Sequence, residues 1–192
     1  GYTSSEQAGL AAFTEAGGHL LIAGEPPSQG GSITSLLGMT TVTSSSPLPL
    51  NSIAAPFGLS FGDGYVYDLT EYDNNYRNVY TQPTGSEFGG TGTSVTVHEA
   101  TPVSGGEPIL ETKSSAKLSS DREAQAYTVA AQAENVVAVG DTSLFSSEWV
   151  QRNDNEEFVS RLLEYLVTSD KEPGAPAPQE TSESSQPGSI AP

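Results

Sequence analysis

Cysteine is missing from the whole sequence of 192 residues. Its absence excludes disulfide bonds, thiolate metal sites and a cysteine nucleophile within these residues. The glycosylation sequon Asn-x-Ser/Thr is missing as well. The sequence therefore contains neither of the two features that most often indicate a cellular compartment.

Positive charge is scarce. The chain carries 7 Lys and Arg against 24 Asp and Glu, a formal net charge of −17. No cluster of Lys or Arg is present, which argues against a nucleic-acid partner, because binding to phosphates needs such clusters. The acidic residues are spread along the chain, and their repulsion is screened in concentrated salt, where the Debye length falls to about 3 Å at 1 M. The composition predicts a halophilic protein, with an ordinary acidic mesophilic protein as the alternative.

Long hydrophobic runs are also missing. The sequence has no stretch of about 18 apolar residues, so we expect no direct membrane insertion of this segment. No signal peptide is recognisable and the first residue is Gly1, so we expect a piece of a longer protein. Residues 170–192 are rich in Pro, Ser and Glu and lack aromatic residues, which predicts a disordered tail or linker after a domain over residues 1–169.

The first elements follow an αβ order. Thr3-Ser4-Ser5-Glu6 has the pattern of a capping box, which predicts that a helix begins there. Gly17-Gly18 ends this helix, and the apolar residues 20–23 have the length of a buried strand. A helix, a Gly-Gly turn and a buried strand in succession predict a parallel sheet.

Further short apolar segments predict more elements of the same kind. We predict a helix over residues 32–37 and a last helix capped by Asp154 and Asn155. Residues 70–92 are polar and Gly-rich, and no element is predicted there. Strands are predicted at 57–61, 65–69, 94–98, 109–112, 125–131 and 136–139. Together these elements predict an α/β fold, a three-layer sandwich of the flavodoxin type with a mostly parallel central sheet and helices on both faces.

Four segments carry a resemblance to a known family. They are FTEAGGHLLIAG (residues 13–24), NSIAAPFGL (51–59), VVAVGDTSLF (136–145) and DNEEF (154–158). They resemble the class I glutamine amidotransferase-like domains of unknown function, which recur in haloarchaeal envelope proteins and in gliding or transport-auxiliary proteins beside ABC transporters. The resemblance implies the same α/β fold and a protein partner, such as an ABC transporter or an envelope component. The family normally has a strand before the opening helix, and this sequence shows none.

The catalytic groups of an active class I amidotransferase are not reproduced. Such an enzyme needs a Cys nucleophile and a His-x-Glu pair that activates it. The sequence has no Cys, and neither His19 nor His98 has a Glu two positions later. The resemblance therefore implies a domain without glutaminase activity, and we expect no catalytic residue, no metal and no cofactor.

The ends of two predicted strands form the candidate ligand-binding site. Gly24 and Glu25 follow the first strand, and Gly140 and Asp141 follow the last. Ligands of open α/β sheets bind outside the carboxyl ends of the strands. Asp141 can hold a hydroxyl, an amine or a cation there, or its side chain can cap the next turn.

Aromatic and acidic residues are concentrated in one further stretch. Its tyrosines can form a recognition surface, or they can pack in the core and at the edge of the sheet. Its oxygen atoms would suit Ca²⁺, but the EF-hand spacing is not met, and a solvated acidic loop is the alternative. The residues are Tyr65, Tyr67, Tyr72, Tyr76 and Tyr80, with Asp68, Glu71, Asp73, Asn74 and Asn75.

Three functions stay open. The first is a non-catalytic interaction or sensory domain at the outer face of a haloarchaeal cell envelope, anchored outside this segment; a cytoplasmic location is the alternative. The second is a domain that binds a small polar ligand for a transporter. The third is a hydrolase that uses Asp141 with His19 or His98 as acid and base. Hydrogen-bond contact between either imidazole and Asp141 in an open pocket would favour the enzyme.

Overall fold

A computed structural model describes residues 2–26, 50–90 and 92–168 of the chain. The predicted helix at 32–37 and the predicted tail at 170–192 lie outside these residues. No helix in the described parts of the chain is both long and apolar enough to cross a bilayer. The helices are α1 (Ser4–Glu15), α2 (Asn51–Ala54) and α3 (Asn155–Val167), and two short 3-10 turns span Ala55–Phe57 and Ser143–Phe145.

Strands dominate the described residues. The strands are β1 (Leu20–Ala23), β2 (Ser60–Phe61), β3 (Val66–Tyr67), β4 (Asn78–Pro83), β5 (Val95–His98), β6 (Val103–Ser104), β7 (Glu107–Thr112), β8 (Lys117–Leu118), β9 (Thr128–Ala133) and β10 (Val136–Val139). Six of them form one curled sheet in the order β1-β10-β9-β7-β4-β5, and the others form two small ribbons, β2–β6 and β3–β8. In the sheet β1 and β10 are parallel, and the four remaining neighbours pair antiparallel.

The prediction of a three-layer α/β sandwich with a mostly parallel sheet is therefore wrong. The part of the chain that the structure describes is mostly β, with a mixed, half-barrel sheet and few helices. Parallel neighbours need a long crossover connection, usually a helix, whereas antiparallel neighbours need only a short turn. Glu134 and Asn135 join β9 to β10 in this way, and Glu134 adopts the positive φ of 51° that tight hairpin turns require.

The apolar run of β10 is explained by burial on both faces. Val137 and Val139 pack in a core cluster that includes Phe158 and Leu162 of α3. The alternate residues of β10, Val136 and Ala138, belong to a second cluster on the other face of the sheet. That second face is covered by α2, the β2–β6 ribbon and Leu10 of α1, so a buried apolar strand arises here without the parallel helix-covered sheet that such a run usually indicates.

Several local predictions are confirmed. The Thr3 hydroxyl accepts a hydrogen bond from the Glu6 main chain, and the Glu6 carboxylate accepts one from the Thr3 main chain at 2.7 Å, which completes the capping box of α1. The strands at 20–23 and 136–139 form with the predicted bounds. β4 was missed, because it lies in the polar, Gly-rich stretch over 70–92 where no element was predicted.

Candidate functional site

The four residues predicted at the strand ends lie at one edge of the sheet. Because β1 and β10 run parallel and in register, Gly24 and Glu25 emerge beside Gly140 and Asp141. The hydroxyl of Thr142 donates a hydrogen bond to the Glu25 carboxylate, which links the two segments. The structure thus brings the predicted residues together, and their role in ligand binding stays a prediction.

Gly140 is needed for close packing at this edge. A Cβ added to Gly140 would lie 2.0 Å from the carbonyl oxygen of Thr101. The main chain of Gly140 accepts a hydrogen bond from Thr101 N and donates one to Val129 O, both at 2.8 Å. The residue therefore joins two neighbouring segments where no side chain fits.

Asp141 is buried, with 1% of its surface exposed, and both of its carboxylate oxygens are occupied. Oδ1 accepts hydrogen bonds from the main chain and the hydroxyl of Ser143, and Oδ2 accepts one from the main chain of His98 at 2.7 Å. Burial raises the pKa of Asp141, and the donated hydrogen bonds oppose that rise. Of the two roles open from the sequence, the cap on the following turn is present, and an additional bond reaches β5.

That additional bond is part of a row along β5, the last strand at one edge of the sheet. Three alternate main-chain N–H groups of this edge each donate to a side-chain oxygen from a distant part of the chain. These side chains replace a neighbouring strand, so the edge offers no free N–H at these positions for pairing with another chain. The pairs are Ser94 N with Asp154 Oδ2, Thr96 N with Asn155 Oδ1 and His98 N with Asp141 Oδ2, each at 2.7 Å.

The predicted capping role of Asp154 and Asn155 is corrected by this arrangement. α3 begins where predicted, but neither side chain caps it among the described contacts, because Asp154 bonds to Ser94 just before β5 and Asn155 bonds to Thr96 of β5. Asn155 is fully buried, and its Nδ2 also donates to the carbonyl oxygens of Thr96 and Trp149, both at 2.9 Å. The start of α3 is thereby fastened to the sheet edge.

The two histidines have packing roles in the structure. The His98 ring stacks on Trp149, with centroids 4.7 Å apart, and its Nδ1 donates to Asn78 Oδ1 at 2.8 Å. The His19 ring stacks on Tyr165 at 4.1 Å, and its Nδ1 donates to the Tyr165 carbonyl. His19 precedes β1 whereas Asp141 follows the parallel β10, so these two residues lie at opposite ends of the strand pair, about 20 Å apart.

Residues 68–77, which we call the tyrosine loop, connect β3 to β4. Three large side chains of the loop are exposed: Leu69 by 62%, Tyr72 by 39% and Tyr76 by 40%. Packing in the core, one alternative from the sequence, does not apply to Tyr72 and Tyr76.

The start of the tyrosine loop is held by Asp68, which is buried. Its Oδ1 accepts from the main chain and hydroxyl of Thr70 and from the main chain of Glu71, and its Oδ2 accepts from Ser115 at 2.7 Å. Burial by itself would raise the pKa of Asp68, but these hydrogen bonds outweigh it and hold the pKa below its usual range. The carboxylate thus fixes the first turn of the loop.

The other end of the loop is held by Asn78 and Arg152. The buried Asn78 donates from Nδ2 to the Asp73 carbonyl at 2.9 Å and accepts from His98. Arg152 donates to Asp73 Oδ2 at 3.3 Å, and its guanidinium lies 4.2 Å from the ring centroid of Trp149. His98, predicted as a possible acid or base, therefore anchors the loop through Asn78.

Arg77 lies between aromatic rings at the end of the loop. Its guanidinium carbon is 5.1 Å from the ring centroid of Tyr65 and 5.5 Å from that of Tyr76, and it forms an ion pair with Glu99. Tyr67 packs edge-on against Tyr76 at 6.0 Å. The sequence reasoning missed Arg77, Arg152 and Trp149, although Arg77 directly follows Tyr76 and Arg152 lies three positions after Trp149.

The oxygen atoms considered as Ca²⁺ ligands serve mainly to fold the loop. Asn75 Oδ1 accepts from the Arg77 main chain, and the carboxylate of Asp73 receives Arg152 and the Asn74 amide. Within the described ranges, no group of three or more His, Asp or Glu has an arrangement that could hold a metal ion.

Comparisons with known proteins identify a family and a fold. The family profile described as "Domain of unknown function (DUF4350)" matches residues 1–163. A solved structure described as "mmIFT52 N-terminal domain" is similar, with a TM-score of 0.59 and 16% identity over 88% of this chain and 73% of that one. At this identity the likeness concerns the fold alone. No curated protein matches the chain.

Proposed function

The chain belongs to the DUF4350 family, and we propose that it is a non-catalytic protein-recognition domain that binds its partner through the tyrosine loop. The observation that carries the proposal is the exposure of Tyr72, Tyr76 and Leu69 on a loop that buried side chains hold at both ends. Tyr, Trp and Arg dominate the binding energy of protein interfaces. A loop already fixed in its bound shape loses little conformational entropy on association.

The strand-end site has less support as a place for a small polar ligand. Asp141 is buried and both its oxygens already accept hydrogen bonds, and Glu25 accepts the Thr142 hydroxyl. The hydrolase alternative needs an imidazole on Asp141, but the His98 ring bonds to Asn78 and His19 lies at the other end of the strands. Asp141 and His98, the groups that would act as acid and base, instead stabilise the edge of the sheet and the tyrosine loop.

The cellular setting is part of the proposal. The net charge of −17 supports the proposal that the protein functions in concentrated salt. The sequence resemblance to amidotransferase-like envelope domains supports the outer face of a haloarchaeal cell envelope, with an ABC transporter or another envelope component as the protein partner.

Photo-crosslinking tests the proposed surface. A photoreactive phenylalanine derivative replaces Tyr72, Tyr76 or, as the control, Tyr2, an exposed tyrosine ahead of α1. In the cells that make the protein, irradiation should give the same discrete protein adduct from positions 72 and 76 and none from position 2. Adducts of equal yield from all three positions, or none from the loop, would reject the recognition role.

A further inference from the structure

The end of the tyrosine loop and strand β3 together form a cluster of aromatic rings. The ring centroid of Tyr67 lies 6.4 Å from that of Tyr65 and 6.0 Å from that of Tyr76, and Arg77 lies against the rings of Tyr65 and Tyr76. We call these four residues the aromatic cluster. The side chain of Arg77 is 38% exposed, Tyr76 is exposed, and the other two tyrosines are half-buried. The cluster therefore presents aromatic surface to the solvent.

The polar groups of the cluster have hydrogen-bond donors to spare. Arg77 donates from Nε to the Tyr76 hydroxyl at 3.2 Å and from Nη1 to the Glu99 carboxylate, and its other guanidinium N–H groups remain available. Among the described contacts, the hydroxyls of Tyr65 and Tyr67 make no hydrogen bond. The ion pair with Glu99 also neutralises the guanidinium charge. A matching ligand is uncharged and carries hydrogen-bond acceptors and apolar rings.

The chain itself contains a segment with this chemistry. Residues 173–178, beyond the described part of the chain, have the sequence PGAPAP, with three prolines and no charge. Proline has no main-chain N–H, so a proline-rich segment offers mainly carbonyl acceptors. Such segments favour the extended polyproline II helix, which other proteins bind on surfaces lined by aromatic side chains. The segment thus complements the aromatic cluster in polarity, charge and shape.

The position of α3 decides which copy of the chain can supply the segment. α3 begins against β5, where Asn155 bonds to Thr96, and ends beside the β9–β10 turn, to which the Tyr165 hydroxyl bonds. Its 13 residues span about 20 Å. The aromatic cluster lies on the β5 side, because Arg77 pairs with the residue that directly follows β5. From the last described residue, five more lead to Pro173 and extend at most about 18 Å, so this proline cannot reach the cluster of its own chain.

We propose that the aromatic cluster binds residues 173–178 of a second copy of the chain. The proline rings pack on the exposed tyrosine faces, and the carbonyl oxygens of the segment accept hydrogen bonds from Arg77 and the free tyrosine hydroxyls. The proposal rests on the recognition role of the tyrosine loop and goes beyond it by naming a segment that the loop binds. Because the site and the segment belong to different parts of the chain, the contact is head-to-tail and can repeat from copy to copy. Concentrated salt screens the repulsion between the acidic copies and therefore favours it.

The first test titrates two peptides into the isotope-labelled full chain in 2 M KCl, followed by NMR. The chain carries Pro173→Ala, Pro176→Ala and Pro178→Ala, so that its own segment does not compete. The probes are the peptide of residues 170–180 and the same peptide with alanine at the three proline positions. The proline peptide should shift the amide signals of Tyr76 and Arg77. The alanine peptide should bind at least about fivefold more weakly, because it loses both the ring surface and the fixed φ angles.

The second test measures self-association of the full chain by sedimentation equilibrium in 2 M KCl. The mean mass of the unaltered chain should rise with concentration, and the three proline substitutions should abolish the rise. Tyr76→Ala should weaken association at least about fivefold, since truncation of an interface tyrosine typically costs that much. Tyr2→Ala, at an exposed tyrosine outside the cluster, should change it less than twofold.

Three results would overturn the proposal: equal binding of the two peptides, no shift with either peptide, or a chain that stays monomeric at every concentration. Failure here is distinguishable from failure of the proposed function. If positions 72 and 76 crosslink to a different protein while the proline peptide does not bind, the recognition role stands and the named segment is wrong.

Discussion

At the scale of single residues, Gly140 is a position where the absence of a side chain decides the packing. Gly140→Ala places a methyl group against the Thr101 carbonyl, and we expect it to destabilise the fold by about 1–3 kcal/mol. Gly9→Ala is the matched control, because a Cβ there meets nothing within 4 Å and alanine favours the helix by up to about 1 kcal/mol. Urea unfolding of both variants is the measurement. A neutral Gly140→Ala would mean that the strand ends are less tightly packed than described.

Asp68 gives a residue-scale prediction about pH. Its pKa is lowered in the folded protein, so its contribution to stability is present above its unfolded pKa, near 3.9, and is lost as the pH falls through the lower folded value. We expect wild type to be more stable than Asp68→Asn at pH 5 and the difference to shrink between about pH 4 and pH 2. Denaturant unfolding of both proteins across this pH range measures the difference in their free energies of unfolding. A difference that grows on acidification would contradict the role given to the carboxylate.

At the scale of elements, the main-chain N–H groups at the edge of β5 are bonded by side chains that are distant in the sequence. Asn155→Ala leaves the buried Thr96 N–H without its acceptor and releases the start of α3 from the sheet. We expect a loss of about 2–4 kcal/mol in the free energy of unfolding. Glu156→Ala, exposed on the same helical turn, should cost less than about 0.5 kcal/mol. Equal effects of the two variants would show that the hydrogen bonds to the β5 edge contribute little to the free energy of unfolding.

Elements with local signals could be predicted from the sequence, and their arrangement could not. The capping box and the Gly-Gly turn predict where α1 begins and ends, and the two apolar runs predict β1 and β10. Each of these signals lies within a few neighbouring residues. β4 carries the polar sequence NVYTQP and gave no such signal. Sheet direction was mispredicted because the apolar run of β10 records burial on both faces, which α3 and the β2–β6 ribbon achieve around mostly antiparallel strands.

The candidate site was predictable to a similar extent. Gly24, Glu25, Gly140 and Asp141 do meet, because both buried strands were recognised and lie in parallel register. The bond from His98 to Asp141 and the bond from Ser115 to Asp68 join residues 43 and 47 positions apart, and no local pattern encodes such pairs. The cluster of tyrosines was visible, but its exposure follows only from the anchoring of Asp68 and Asn78.

At the scale of the whole molecule, the net charge gives a prediction about salt and stability. The formal charge of −17 implies repulsion that salt screens, so the melting temperature should rise steeply between about 0.1 M and 2 M KCl. Sucrose of matched osmolality is the control for general solvent effects, and it should not reproduce the rise at low salt. A melting temperature that stays flat in KCl would reject the prediction of a halophilic protein.

The central claim is that the tyrosine loop is the recognition surface, and the affinity for the crosslinked partner tests it most directly. Tyr72→Ala with Tyr76→Ala should weaken binding at least tenfold, since truncated hot-spot residues each cost more than about 1 kcal/mol. Tyr2→Ala, with a similar exposed ring outside the loop, should leave the Kd within a factor of two. The measurement is a calorimetric titration at one fixed salt concentration. An unchanged Kd for the double variant, with its melting temperature unaltered, would contradict the account.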